Sequence, residues 1–283
     1  LAGHVDEDLA WALPDDRVRL HQVHAVLVRG SAGVGKTRLA RWLAERAHET
    51  GTGVVLHARH RSTEGPDQGL GPMLRGFLRC HDMERERVLG RIGAIYKATG
   101  VEHKDEWHAL TEVICPAIDE ETAKVRFTSP VERHITVRRL LQTAALERPV
   151  IVVLDEAHNG IDALRFTSYL LQYRARHDLP ILLLLTLTDE ELAERLDAAT
   201  LVEELLEHER CSALAIGPLP AEDRPALVTG ILGLEAELAA RVDNHTRGNP
   251  QFAVELVADW VRSGLLTPSG EGYRAVQELH LPR

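Results

Sequence analysis

The chain has 283 residues, 44% hydrophobic and 27% charged, with 33 basic against 43 acidic side chains and a formal net charge of −10. This composition excludes a disordered tail or a collagen-like rod, and the length allows one large domain or two modest ones. The acidic balance counts against a domain that lives on nucleic acid, which carries a basic excess, so direct nucleic-acid binding is not expected. Cys80, Cys115 and Cys211 lie far apart with no C-x-x-C pair, which predicts a reducing, cytoplasmic setting. The longest apolar runs, residues 150–154 and 181–185, fall short of the roughly 20 residues a membrane helix needs, so no membrane partner is expected. The chain opens at Leu1 without a methionine and stops at Arg283 after a turn-rich stretch, which predicts a piece of a longer polypeptide.

In chain order, residues 24–29 read as a short buried strand. Residues 37–49 are helical in period, with Leu39, Ala40, Leu43, Ala44 and Ala47 on one side. Residues 54–59 read as a second strand and 61–71 as a polar, Gly/Pro-bearing loop. From Leu74 to about Lys124 the pattern is mostly helical, broken near Gly100 and Pro116. Ser129 opens the next helix as N-cap, with Pro130 at the first helical position and Glu132 completing a capping box. Residues 149–154 form a continuous apolar strand, 162–177 a helix, 180–186 another apolar strand, 190–208 a helix and 213–216 a last short strand. This alternation predicts a parallel sheet with helices on both faces. After Gly217-Pro218-Leu219-Pro220, residues 221–263 show helical periodicity without a strand, and residues 268–272 form a hairpin-like turn between Leu266 and Tyr273.

Gly30-Ser31-Ala32-Gly33-Val34-Gly35-Lys36-Thr37 fits the G-x-x-x-x-G-K-[ST] pattern in full, directly after a strand and before a helix. Glycines let a backbone wrap close and turn its N–H groups inward. The following helix, which continues through Arg38, adds its own unpaired N–H groups and dipole. Such a loop cradles the β-phosphate of a nucleotide. Lys36 would reach the β- and γ-phosphates, and the Thr37 hydroxyl would ligate Mg²⁺. With only four lysines in the chain, one at this position is informative.

Residues 150–156, Val-Ile-Val-Val-Leu-Asp-Glu, supply the companion motif. Acids at the carboxyl end of a parallel strand face the ligand crevice of such a sheet. Asp155 would bind Mg²⁺, and Glu156 would orient and polarise the attacking water. Thr186 and Thr188 close the next apolar strand, where each could touch the γ-phosphate or the water, or simply end the strand. The four-residue H-x-x-H spacings at His21/His24 and His57/His60 lack the further ligands a metal site needs. No guanine-reading N-K-x-D segment is present, which favours adenine.

These residues resemble the STAND branch of the AAA+ ATPases, nearest to the ATPase modules of large bacterial signalling and regulatory proteins. The resemblance implies an α/β fold, a three-layer P-loop NTPase with a parallel sheet followed by a small all-helical lid. The domains would be residues 1–216 for nucleotide binding, 217–263 for the lid and 264–283 for the hairpin-like start of a following domain. Gly3-His4-Val5-Asp6-Glu7-Asp8-Leu9 looks like the family's opening box, with His4 where arginine is usual. Thr246-Arg247-Gly248-Asn249-Pro250-Gln251-Phe252 looks like the lid's Gly-Asn-Pro motif, which implies Pro250 against the nucleotide. Two departures stand out: Asn159-Gly160-Ile161 replaces the frequent Trp-Ala-Asp, and Thr188 occupies a position that often holds arginine. The implied function is Mg²⁺-dependent ATP binding and slow hydrolysis acting as a signalling switch, with ADP as the other bound state. The alternative is a nucleotide-gated scaffold with little turnover. The implied partners are other domains of a longer chain and further copies of the protein when ATP is bound. Asp155-Glu156-Ala157-His158 also spells the box of one helicase class, but that class needs a second arginine-bearing domain that the remaining residues do not supply.

Overall fold

The computed structural model describes residues 21–63, 65, 67–98, 104–118, 123–174, 178–269 and 272–276. The segment resembling the opening box lies outside the described residues. Five strands form the central sheet: β1 (His24–Gly30), β2 (Val54–Arg59), β3 (Val150–Asp155), β4 (Ile181–Thr188) and β5 (Cys211–Ala215), in the order β2-β3-β4-β1-β5. The sheet is parallel and carries helices, an α/β P-loop NTPase fold. Every residue of β3 and of β4 is buried. That burial explains their unbroken aliphatic sequence, each such side chain contributing roughly 1.5–3 kcal/mol when removed from water.

Register fixes what meets at the sheet's carboxyl edge. Arg59 pairs with Asp155, and Leu154 pairs with Leu185, so Thr186 follows beside Asp155. Around the strands, Leu74, Ile92, Leu110, Leu141, Phe166, Leu170 and Val202 from successive helices join one apolar core. The long helical stretch after Leu74 resolves into helices Leu70–Phe77, Arg85–Ala98 and Lys104–Ile114.

Three local expectations change. At helix Pro130–Ala144 the Ser129 side chain makes no capping bond. The Glu132 carboxylate instead accepts from the Thr128 N–H at 2.7 Å and the Thr128 hydroxyl at 2.6 Å, so only the carboxylate half of a capping box forms, directed to the residue before Ser129. The single helix expected over 190–208 is two, Asp189–Ala193 and Leu196–Leu206. Arg195 leaves helical geometry between them at φ −118 and ψ 87, and the Asp197 carboxylate takes the Ala198 N–H at the restart. The last strand of the sheet runs over Cys211–Ala215, beginning two residues before the apolar signal at Ala213.

The described residues divide into two compact units: residues 21–29 with 37–214, and residues 30–36 with 215–276. In the second, helices Ala236–Thr246 and Pro250–Arg262 and a π-helical turn Ala226–Ile231 bury Leu227, Leu238, Val242, Leu256, Val257 and Trp260 in a core of their own. An antiparallel hairpin, β6 (Leu266–Ser269) and β7 (Gly272–Ala275), pairs Leu266 with Ala275, and Leu266 joins that core.

Candidate functional site

The glycine-rich loop joins Gly30, where β1 ends, to Lys36, where helix Lys36–Glu49 begins. A Cβ on Gly30 would lie 2.1 Å from the Ile216 carbonyl oxygen, so only glycine permits that backbone approach. Gly33 and Gly35 take φ +79 and +106, a region costly for any other residue. Val34 is buried and anchors the loop, while Ser31 and Ala32 are exposed. The Lys36 ammonium is buried against the loop and donates to the carbonyls of Gly30 at 2.9 Å and Ser31 at 2.7 Å. At Gly35 an added Cβ would meet no atom within 4 Å, so the loop is open there. A positive-φ loop with an ammonium at its side, leading into a helix N-terminus, fits a phosphate. Arg38 is exposed on the first turn of the helix.

The Gly-Asn-Pro segment belongs to the same compact unit as this loop. Helix Ala236–Thr246 stops because Arg247 and Gly248 turn left-handed, at φ +50 and +81. A Cβ on Gly248 would sit 2.5 Å from the Leu219 carbonyl oxygen, and the Leu219 N–H donates to the Gly248 carbonyl at 2.8 Å. Asn249 caps the next helix by accepting the Phe252 N–H at 3.1 Å, and Pro250 takes the first helical position. The Asn249 amide nitrogen donates to the Ala32 carbonyl at 2.9 Å, and the Gln251 N–H to the Gly33 carbonyl at 3.2 Å.

In the other unit, Asp155 closes β3 with its side chain almost wholly buried. The Thr37 and Thr186 hydroxyls both donate to its Oδ1, at 2.7 and 2.8 Å. The Thr186 hydroxyl in turn accepts the Glu156 N–H at 2.8 Å. One hydroxyl therefore ties two strands and both acids together. Glu156 is half-buried, and its backbone is left-handed at φ 54 and ψ 44. For a residue with a side chain that conformation costs of order 1–3 kcal/mol and persists only where neighbours enforce it. Burial, then the Asp155 and Glu191 carboxylates, push the Glu156 carboxyl above the usual range. Thr188 is buried, and its N–H faces the His158 Nδ1 at a long 3.4 Å.

Residues 12–196, more than half of the chain, match the family described as AAA ATPase domain. The chain belongs to the AAA ATPase domain family. It is also similar to Aeropyrum pernix ORC2, solved as ADPNP-ADP complexes, at 14% identity and a TM-score of 0.44 over 93% of this chain and 64% of that one. For A. pernix ORC1 in complex with DNA the values are 17%, 0.45, 92% and 59%. For Cdc6p from Pyrobaculum aerophilum they are 15%, 0.47, 92% and 61%. The chain thus spans less than two thirds of the length of each of these three proteins. Comparison with curated proteins returns no match.

Membership makes nucleotide binding the expected property of this AAA ATPase domain, with ATP or ADP and Mg²⁺ as its usual ligands. The Thr37 hydroxyl and the Asp155 carboxylate are hard oxygen donors of the kind Mg²⁺ takes. Among the described residues no three His, Cys, Asp or Glu side chains form a metal cluster. Mg²⁺ needs none, since it keeps several waters and is completed by substrate phosphates. None of the described helices is long and apolar enough to cross a membrane.

Sequence reasoning missed three supports of the AAA ATPase domain's strand end. Arg41, one turn after Thr37, places a guanidinium nitrogen 3.7 Å from Asp155 Oδ2, and its i+4 spacing was the available signal. His60, weighed in the sequence only as a metal ligand, is buried behind β3 with Nδ1 donating to the Asp155 carbonyl at 3.0 Å. Burial lowers its pKa. His158 is fully buried; with Nδ1 facing the Thr188 N–H, its Nε2 donates to Glu191 at 2.9 Å. That bond holds the Glu191 carboxyl below the usual range.

Proposed function

We propose that this AAA ATPase domain is a STAND-type switch module of a larger bacterial regulatory protein, binding ATP or ADP with Mg²⁺ and hydrolysing ATP slowly. The carrying observation is the shared Oδ1 of Asp155, on which the hydroxyls that follow the phosphate loop and that close β4 converge.

In this reading the loop amides of residues 30–37 and the Lys36 ammonium hold the phosphates. Arg38 would stand at the nucleotide's flank and Pro250 against it. Thr37 and Asp155 would hold Mg²⁺, which would supply positive charge to offset the negative charge developing on the phosphate. Glu156 takes the proton of the attacking water at its carboxylate, and its raised pKa brings it nearer the working range of a general base. Thr186 fixes Glu156 through the backbone N–H, which makes it the better supported of the two sensor candidates. Thr188 is coupled to His158 through its backbone. The proposed domain limits are residues 1–216, 217–263 for a helical lid, and 264–283 for the junction to a further domain.

A second reading, a nucleotide-gated oligomerisation scaffold with little turnover, is favoured by Thr188, which leaves no arginine at the end of β4. The two separate by experiment. The nucleotide released on denaturing the purified protein is identified, and Mg²⁺-dependent phosphate release is measured alongside mass in solution with ATP and with ADP. Measurable turnover abolished by Glu156→Gln supports the switch. Tight nucleotide without turnover, with ATP-dependent growth in mass, supports the scaffold. Absence of nucleotide binding overturns both.

A further inference from the structure

The side chain of Asn249 does two things at once, with the two different atoms of its amide. Its Oδ1 accepts the Phe252 N–H and caps helix Pro250–Arg262, while its Nδ2 donates to the Ala32 carbonyl in the phosphate loop. Flipping the amide would set two donors, and two acceptors, against each other, so the hydrogen-bond network fixes its orientation. Pro250 carries no N–H, which makes the Gln251 N–H the first donor of this helix, and it goes to the Gly33 carbonyl. The contact is close: a Cβ on Gly33 would lie 2.6 Å from Asn249 Oδ1 and 2.9 Å from the Gln251 Cβ.

In a planar trans peptide the carbonyl of one residue and the N–H of the next point in opposite directions. Holding the Ala32 carbonyl toward Asn249 therefore turns the Gly33 N–H away from the helix. Holding the Gly33 carbonyl toward Gln251 does the same for the Val34 N–H. Both are amides of the loop that the proposed function assigns to phosphate.

We propose that Asn249 is a positioning residue: from the start of this helix it fixes the peptide planes of the phosphate loop, so that the Gly33 and Val34 N–H groups are set for a nucleotide diphosphate before it arrives. The inference rests on the nucleotide-binding function proposed for this loop. It explains why asparagine stands at this cap. Serine and aspartate cap helices about as well, but aspartate has no donor for the Ala32 carbonyl, and serine's single hydroxyl lies one bond nearer the backbone than the amide nitrogen and falls short of it.

That difference supplies the test. Asn249→Ser and Asn249→Asp keep the capping oxygen and remove the amide donor, the first without adding charge. Mg·ADP affinity is measured by calorimetry for the parent, both variants and Lys36→Ala, with helix content and melting temperature of each protein measured without nucleotide. The expected result is unchanged helix content and melting temperature in the two Asn249 variants. ADP dissociation constants should rise about tenfold for Asn249→Ser, the scale of one lost hydrogen bond, and further for Asn249→Asp. A residue that only caps the helix would leave ADP affinity unmoved, so parental affinity in Asn249→Ser, with Lys36→Ala impaired, overturns the inference alone. If Asn249→Ser loses helix content, Asn249→Asp decides on the same criterion. A parent that binds no ADP overturns the nucleotide reading and this inference with it.

Discussion

The phosphate loop and the end of β3 are built by opposite means. The loop itself takes part almost entirely through backbone atoms: its carbonyls at residues 30 to 33 accept from the Lys36 and Asn249 side chains and the Gln251 N–H, and Gly30, Gly33 and Gly35 supply the positive φ values. The β3 end is held by side chains. Asp155 takes hydroxyls from Thr37 and Thr186, and a carboxylate–imidazole pair, Glu191 and His158, stands behind Glu156. A backbone-built feature depends on where glycine is allowed and survives many changes of side chain. A side-chain network depends on each member.

Substitutions can break that comparison, and the largest effect belongs to the loop's one indispensable side chain. Lys36→Ala should remove tight ATP and ADP binding, costing several kcal/mol as truncation of a buried charged contact does. Calorimetry showing parental affinities would end the assignment of this loop to phosphate.

Next comes Glu156. Glu156→Gln should bind nucleotide as before and hydrolyse it about 10²-fold more slowly, the scale of losing a general base. Asp155→Asn should instead weaken the dependence on Mg²⁺. Phosphate release at the parental rate in Glu156→Gln would show that the strained acid at the end of β3 is not the base.

Thr186 tests whether the β3 end is a network or a set of neighbours. Thr186→Val is nearly isosteric and deprives the Glu156 N–H and the Asp155 carboxylate of a shared partner. The Glu156 N–H loses its partner while Asp155 keeps the Thr37 hydroxyl, so the loss should be roughly 1–3 kcal/mol in stability, with reduced turnover. Thr188→Val should cost less, because the contact of Thr188 to His158 runs through its backbone N–H, which valine keeps. Equal losses in the two variants, read by denaturant titration, would mean that the Thr186 bridge adds nothing.

The same contrast governs how much of the molecule is legible in its sequence. The loop is legible because close backbone approach requires glycine at fixed intervals, and the lysine and threonine come with it. The sheet is legible because strands buried on both faces can only be aliphatic, as β3 and β4 are. The supports of Asp155 are not legible, since His60 and Thr186 are brought to it by strand register, which no local pattern encodes. The split of residues 190–208 into two helices is hidden for a related reason: apolar periodicity runs through Arg195, and only its backbone departs. The Gly-Asn-Pro segment can be seen in the sequence, but the bonds of Asn249 and the Gln251 N–H to the loop come from three-dimensional contact.

The smallest expected effect concerns Gly160, where this chain departs from the pattern it resembles. A Cβ there would lie 2.2 Å from Cδ2 and 2.7 Å from Cγ of the His60 ring, whose Nδ1 holds the Asp155 carbonyl. The φ of Gly160 is −120, which any residue adopts, so the requirement is for space and not for conformation. The glycine and the histidine are then one adaptation: a ring packed behind β3 leaves no room for a side chain at residue 160. Gly160→Ala should cost about 1–3 kcal/mol, as overpacking of an interior does. His60→Ala alone should cost a comparable amount through the lost ring contacts and the Asp155 carbonyl bond. The double variant should be more stable than the sum of the two losses predicts, because the alanine methyl enters space the ring has left. Denaturant unfolding of the four proteins gives the coupling directly. Simple additivity would mean that His60 can move aside, and that Gly160 stands here for some reason other than the ring beside it.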